Sequence, residues 1–233
     1  CMKHVGMNVC ADPFMGSAMT GAGGGLVITA CDDPSMHSSQ NEQDSRFYAN
    51  FALIPCLEPS SQQEAYEATR YAFDLSEQFH IPVMMRLTTR LAHSRANVAP
   101  SPARKQNELR FPDKERELQW VTLPAIAKQR YPQLIKENLE FEKAAETSPF
   151  NKYTSGKDKS LGIIACGLGY NYLMENFPDD CPFPVLKISQ YPFPKKLALK
   201  LAKECKTILV IEEGQPVVER MLRGVFDTGI TIK

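Results

Sequence analysis

Six short apolar runs, most of them rich in β-branched residues, punctuate this chain, and much of what lies between them follows a helical period. Leu26-Val27-Ile28-Thr29-Ala30-Cys31 is the first, after Gly21 and Gly23 to Gly25. Ile54 to Leu57, Pro82 to Leu87, Leu161 to Cys166, Pro184 to Ile188 and Thr207 to Ile211 follow. A strand with one face in water alternates polar and apolar residues; runs apolar at nearly every position are buried on both faces, as in a parallel sheet covered by helices. Between the second and third runs, Ser60 or Ser61 caps a helix through Phe79. Glu64 completes the capping pattern, and Ala65, Ala68, Ala72, Leu75 and Phe79 fall on one side. Strand, helix, strand in this order predicts α/β architecture.

The texture breaks between Leu91 and about Lys159. Prolines recur and basic and acidic side chains nearly balance, so this stretch is a solvated face rather than a charge patch. Asp113 to Trp120 and Gln133 to Glu146 read as helical, Val98 to Asn107 as a loose linker. Trp120-Val121-Thr122-Leu123-Pro124 is expected to dock on a domain, because a lone Trp in a polar segment buries. From Ser160 the α/β rhythm resumes, with helices at Tyr170 to Asn176, from Pro192 through Cys205, and from Pro216 through Leu222. The expected organisation is two three-layer α/β domains with parallel sheets, at 1–95 and 160–233, joined by a partly helical linker, 96–159.

Composition removes several classes of function. Lys+Arg and Asp+Glu both number 27 in 233 residues, so the basic face of a nucleic-acid binder is not expected. No run approaches the roughly 18 apolar residues that a membrane span needs, and no secretory signal opens the chain. Seven cysteines, none in a C-x-x-C pair, predict reduced thiols of a cytoplasmic protein and neither a zinc nor an iron–sulfur site here. The start at Cys1 and the strand-like end at Gly229 to Lys233 read as an internal piece of a longer protein.

Two glycine clusters invite a phosphate-loop reading. Gly21 to Gly25 precede a strand instead of following one, and they end a helix read over Asp12 to Met19, so a helix stop is the expectation. Gly167-Leu168-Gly169 sits between strand and helix but lacks a third glycine and a downstream acid; a structural turn is expected. His37 beside Ser38 and Ser39 carries no nucleophile elbow. His4 and His93, at strand ends, are expected to be hydrogen-bonded structural histidines.

The richest segment is Asp32-Asp33-Pro34-Ser35-Met36-His37-Ser38-Ser39-Gln40-Asn41-Glu42-Gln43-Asp44-Ser45-Arg46, with only Pro34 and Met36 apolar between two buried elements. A connector needs no such density of specific polar groups; a site for a charged small molecule does. Arg46 offers a planar fork that matches a carboxylate, of a ligand or of Asp44 or Asp32.

This segment, together with Lys3-His4-Val5-Gly6-Met7-Asn8-Val9, Gly23 to Val27, Ile81-Pro82-Val83 and Arg86-x-Thr88-Thr89-Arg90-x-x-His93-Ser94-Arg95, resembles the alpha subunit of indolepyruvate ferredoxin oxidoreductases, within the 2-oxoacid:ferredoxin oxidoreductase family. The likeness is strong over residues 1 to 95. It continues more weakly through Trp120 to Pro124 and Gly162 to Arg223. It implies a partial pyrimidine-binding domain of a thiamine-diphosphate enzyme, then a transketolase-C-like domain. It implies oxidative decarboxylation of indolepyruvate and other aryl pyruvates with coenzyme A, reducing ferredoxin. Thiamine diphosphate, magnesium, 4Fe-4S clusters and a beta subunit would serve the full-length protein.

By that resemblance Arg46, Ser38, Ser39 and Asn41 are candidates for substrate contact, and His4, Gly6 and Asn8 for cofactor contact. The family's activating glutamate is expected upstream of Cys1, and neither a magnesium–diphosphate motif nor a cluster motif is present. The piece alone is therefore expected to be inactive, without metal or cofactor. Two alternatives stay open: a non-catalytic subunit of a transketolase-like complex, and an oxidoreductase for pyruvate or 2-oxoglutarate.

Overall fold

The computed structural model describes residues 1–104 and 118–222. Two sheets form. In the first, β1 (Met2–Lys3), β2 (Val27–Asp32), β4 (Val83–Thr88) and β3 (Cys56–Leu57) lie side by side and parallel, with β8 (Gln190–Tyr191) antiparallel at the edge next to β3. The second has the order β5 (Lys152–Thr154), β7 (Val185–Ile188), β6 (Leu161–Cys166), β9 (Thr207–Ile211). It is parallel except for β5.

Register explains why the strands tolerate so few polar residues. Val27 pairs with Val83 and the ladder runs to Asp32 opposite Thr88. Ala30, Met84 and Cys56 belong to a core with Met7, Phe14, Ala49 and Phe141. Leu57, Val83 and Met85, one residue out of phase, pack with Ala68, Ala72, Leu75 and Phe150. Both faces are therefore dry. The second core comes from α4 (Gln62–Phe79), capped by Ser61, whose side chain accepts a hydrogen bond from the Glu64 amide at 3.2 Å. The first comes largely from α1 (His4–Val9), α2 (Ala11–Thr20), α3 (Arg46–Ala52) and α6 (Pro124–Glu146).

Several details differ from the sequence reading. An unforeseen short strand opens the chain: Met2 and Lys3 pair in parallel with Ala30 and Cys31, and α1 starts at His4. Two residues of strand are too short to show a periodicity. Helix α6 begins at Pro124, nine residues before the expected Gln133, with proline in the first turn where its missing N–H costs nothing. Pro132 inside this helix masked the continuity. Of the helix expected over Asp113 to Trp120, residues 113–117 lie outside the described residues, and Leu118–Trp120 form a single 3-10 turn. Trp120 lies against Gly23 but is 52% exposed. It docks without burying, because only one side of the ring has protein to meet. Gly21 does end α2, at φ +74° with its N–H on the Ser17 carbonyl.

Strand β8 carries backbone from beyond β7 into the first sheet, and Asn151 fastens the crossing. Its amide donates to the Ala145 and Gln190 carbonyls, and its oxygen accepts the Ser189 and Gln190 N–H groups at 2.8 and 2.9 Å. The remaining helices are α5 (Thr89–His93), α7 (Gly169–Asn176), α8 (Lys195–Glu204) and α9 (Val217–Leu222). Among the described residues no helix is long and apolar enough to cross a membrane.

Candidate functional site

The polar segment leaves the carboxyl end of β2, where α/β folds place their ligand crevices. Asp33, 1% exposed, organises it. Its carboxylate accepts from the Ser39 hydroxyl at 2.6 Å, the Ser38 and His37 amides at 2.8 and 3.1 Å, and the Thr89 hydroxyl at 2.8 Å. These donors, the Ser39 hydroxyl foremost and the Ser38 amide next, hold its pKa far below the usual carboxylate range. Ser35 and Met36 turn the chain at φ +66° and +52°, left-handed values that cost a side-chain-bearing residue energy. The Met36 amide on the Asp33 carbonyl and the Ser35 amide on Glu42 close the turn.

Two sequence-distant candidate groups meet here. Lys3 Nζ donates to the Ser38 carbonyl and hydroxyl at 3.0 and 3.3 Å. The Asn8 amide donates to Gln43 at 3.2 Å, and Gln43 in turn donates to Asn41 at 3.0 Å. Ser38 and Asn41 are exposed, whereas the Ser39 hydroxyl is spent on Asp33. Gly6 lies on α1 at the same edge, its Cα side facing Met2. His4 is fully buried, and neither ring nitrogen has a hydrogen-bond partner. This corrects the expectation of a satisfied structural histidine. The Thr88 hydroxyl, at the end of β4, is likewise buried without a partner. Buried polar atoms without a partner are rare in folded chains. His93, at the end of α5, is exposed.

Arg46 points elsewhere. Its guanidinium donates from Nε to Asp44 Oδ1 (2.9 Å), from Nη1 to Glu212 Oε2 (2.9 Å), and from Nη2 to Asp44 Oδ2 and the carbonyls of Glu213 and Gln215. The side chain is 1% exposed. The substrate-carboxylate assignment is thereby corrected: the fork is already filled, by Asp44 and by the loop after β9. Arg86, fully buried on β4, makes the second half of the cluster. It donates to Asp32 at 2.6 Å, to Glu58, and to the Glu213 carbonyl at 3.0 Å. Ser45 closes on Asp32 through its amide and hydroxyl, and Tyr191 donates to Glu58 at 2.9 Å.

Electrostatics decide the ionisation of this cluster. Burial opposes the charge on Arg46 and Arg86, but Glu58 first among the surrounding groups raises both pKa values above the ordinary arginine value. Burial pushes Asp44 up, and Arg86 and Arg46 more than reverse it, leaving the carboxyl below its usual value. Arg86 is legible as an anomaly, an arginine inside the apolar run Val83 to Leu87; its partner Glu58 and the Arg46 partner Glu212 carry no local signal.

The glycines at 167 and 169 form a tight turn with no room for a phosphate. A Cβ on Gly167 would lie 2.5 Å from Glu58 Cγ, and one on Gly169 2.9 Å from the Ile211 carbonyl. At the rim, Arg90 is half exposed; its Nη1 donates to the Tyr172 hydroxyl at 3.1 Å, and that hydroxyl donates to Glu213 at 3.3 Å. Burial raises the Cys56 and Cys166 thiol pKa values well above normal, so these cysteines are inert. Among the described residues no group of His, Cys, Asp and Glu is arranged to hold a metal ion.

The two-sheet α/β fold is similar to that of an oxidoreductase solved from Magnetococcus marinus. That structure is a 2-oxoglutarate:ferredoxin oxidoreductase with 2-oxoglutarate, coenzyme A and succinyl-CoA bound; it superposes with TM-score 0.62 at 12% identity, over 90% of this chain and 44% of that one. In sequence the similarity is closer. Indolepyruvate oxidoreductase subunits IorA from Methanothermobacter thermautotrophicus and Archaeoglobus fulgidus are 40% and 41% identical over 227 and 233 residues. The subunit from Pyrococcus horikoshii is 40% identical over 243 aligned residues, covering the whole chain. No family model matches. Over nearly its whole length the chain is similar to indolepyruvate oxidoreductase subunits IorA, and it spans 36–37% of the length of these relatives.

Proposed function

We propose that this chain is part of a 2-oxoacid:ferredoxin oxidoreductase of the indolepyruvate type. The full-length protein, with a beta subunit, would oxidatively decarboxylate indolepyruvate and other aryl pyruvates with coenzyme A and pass the electrons to ferredoxin in the cytoplasm. The observation that carries this reading is identity of about 40% to IorA subunits across nearly the whole chain. The convergence of residues 3–8 on the 38–43 loop supports it, since both segments are among those that carry the resemblance.

Thiamine diphosphate would supply the electron sink for decarboxylation in such an enzyme. Among the cofactor candidates, His4 is fully buried with both ring nitrogens free of a hydrogen-bond partner among the described residues. Asn8 stays a candidate for cofactor contact, and Ser38 and Asn41 are left to orient an aryl pyruvate, whose carboxylate must be held without being over-stabilised because decarboxylation destroys that charge. Magnesium and the 4Fe-4S clusters would be held by parts of the longer protein outside this chain.

The test is calorimetric titration of thiamine diphosphate with magnesium into the 233-residue chain and into the full-length subunit, followed by aryl-pyruvate-dependent ferredoxin reduction. Binding and turnover by the full-length protein alone is the expected result. Turnover with 2-oxoglutarate or pyruvate in preference to indolepyruvate would move the substrate to another oxoacid. Failure of the full-length protein to bind the cofactor would leave a structural subunit instead.

A further inference from the structure

We propose that the turn after β9 positions the candidate substrate loop, residues 33–45, with Gly214 as the residue that permits the fit. The relevance of this to catalysis rests on the functional reading above; the physical coupling does not. The loop is closed at its two ends by buried ion pairs rather than by apolar packing. Asp32 at one end holds Ser45 near the other by two hydrogen bonds, 2.8 and 2.5 Å, and Asp44 clamps Arg46. Glu213 and Gln215, in the turn after β9, complete both closures. The Glu213 carbonyl accepts from Arg86 and Arg46, the Gln215 amide donates to Asp44 Oδ2 at 3.1 Å, and the Gln215 carbonyl accepts from Arg46 at 2.9 Å.

Gly214 sits between these at φ +91°, and a Cβ there would lie 2.8 Å from Asp44 Oδ2 and 3.0 Å from Arg86 Nη2. Any side chain would press on the two groups that close the loop. Glu212 extends the coupling: one carboxylate accepts Arg46 and also caps α9 through the Val217, Val218 and Glu219 amides. Residues 34–43 are mostly exposed or half-buried and are held by hydrogen bonds, to Asp33 and Glu42 within the loop and to Lys3 and Asn8 beside it. A shift at Asp44 or Arg86 is therefore transmitted to Ser38 and Asn41 without contact between them and Gly214.

The experiment is Gly214→Ala in a full-length subunit assembled with its partner. Hydrogen exchange of a 33–46 peptide should quicken at least fivefold, with peptides of β4 and β6 unchanged. KM for indolepyruvate should rise at least threefold with kcat within twofold. If that variant fails to fold, Asp44→Asn keeps the shape while removing the charge, and should give the same signs. Unchanged exchange at 33–46, exchange quickened evenly across the protein, or a loosened loop with KM unmoved would overturn the proposal. Absence of aryl-pyruvate activity in the unmodified protein would sink the functional reading instead, and the exchange result would still decide the coupling.

Discussion

Replacing Arg86 by Met removes one cation from a buried cluster and leaves its carboxylates behind. Arg86 is among the largest fully buried side chains, and its guanidinium serves Asp32, Glu58 and the Glu213 carbonyl. Met fills much the same volume, so cavity formation contributes little. Asp32 keeps its two bonds from Ser45, Glu58 keeps Tyr191, and Asp44 keeps Arg46 and Gln215. What they lose is compensating charge, and breaking a buried ion cluster from one side costs about 3–5 kcal/mol. With a urea slope of about 3 kcal/mol per molar, the unfolding midpoint of the 233-residue chain should fall by roughly 1–1.7 M. Arg86→Lys retains the charge but not the fork, and should fall about half as far. A midpoint for Arg86→Met within 0.3 M of the parent (about 1 kcal/mol on the same slope), or above that of Arg86→Lys, would refute the claim that this cluster holds the two sheets together.

The acid side of the stability curve should carry the signature of Asp33 and Asp44, both with pKa values below the ordinary 3.8 in the folded chain. A depressed carboxyl stabilises above its unfolded pKa, and that contribution fades as pH falls through the folded value. Urea midpoints should therefore be steady from neutrality to about pH 4.5 and decline below it, less steeply in Asp44→Asn. A midpoint that climbs between pH 4 and pH 3 would contradict this sign. Lys187 and Glu64 form a nearly buried ion pair between β7 and α4, so Lys187→Met should cost about 2 kcal/mol. Lys143→Met breaks an exposed pair with Glu140 and should change stability by less than about 0.5 kcal/mol; equal losses in thermal or urea melts would argue against this ranking by burial.

Sequence alone determined the α/β class, because runs such as Leu161 to Cys166 exclude water from both faces wherever they sit. It determined the start of α4, since Ser61 and Glu64 cap locally, and the stop of α2 at Gly21, where a left-handed residue was needed. It also singled out residues 32–46 and 3–9 as the chemically dense segments. Tertiary structure alone decided what those segments do. Whether the fork of Arg46 meets a ligand or a protein carboxylate depends on Glu212, Glu213 and Gln215, more than 160 positions away, and pairing at that separation leaves no local period or spacing to read. The same holds for the orphaned nitrogens of His4. Its burial comes from packing of α1 against the first sheet, and only that packing shows that neither Asp32 nor any other near neighbour supplies the hydrogen bond an imidazole ordinarily takes.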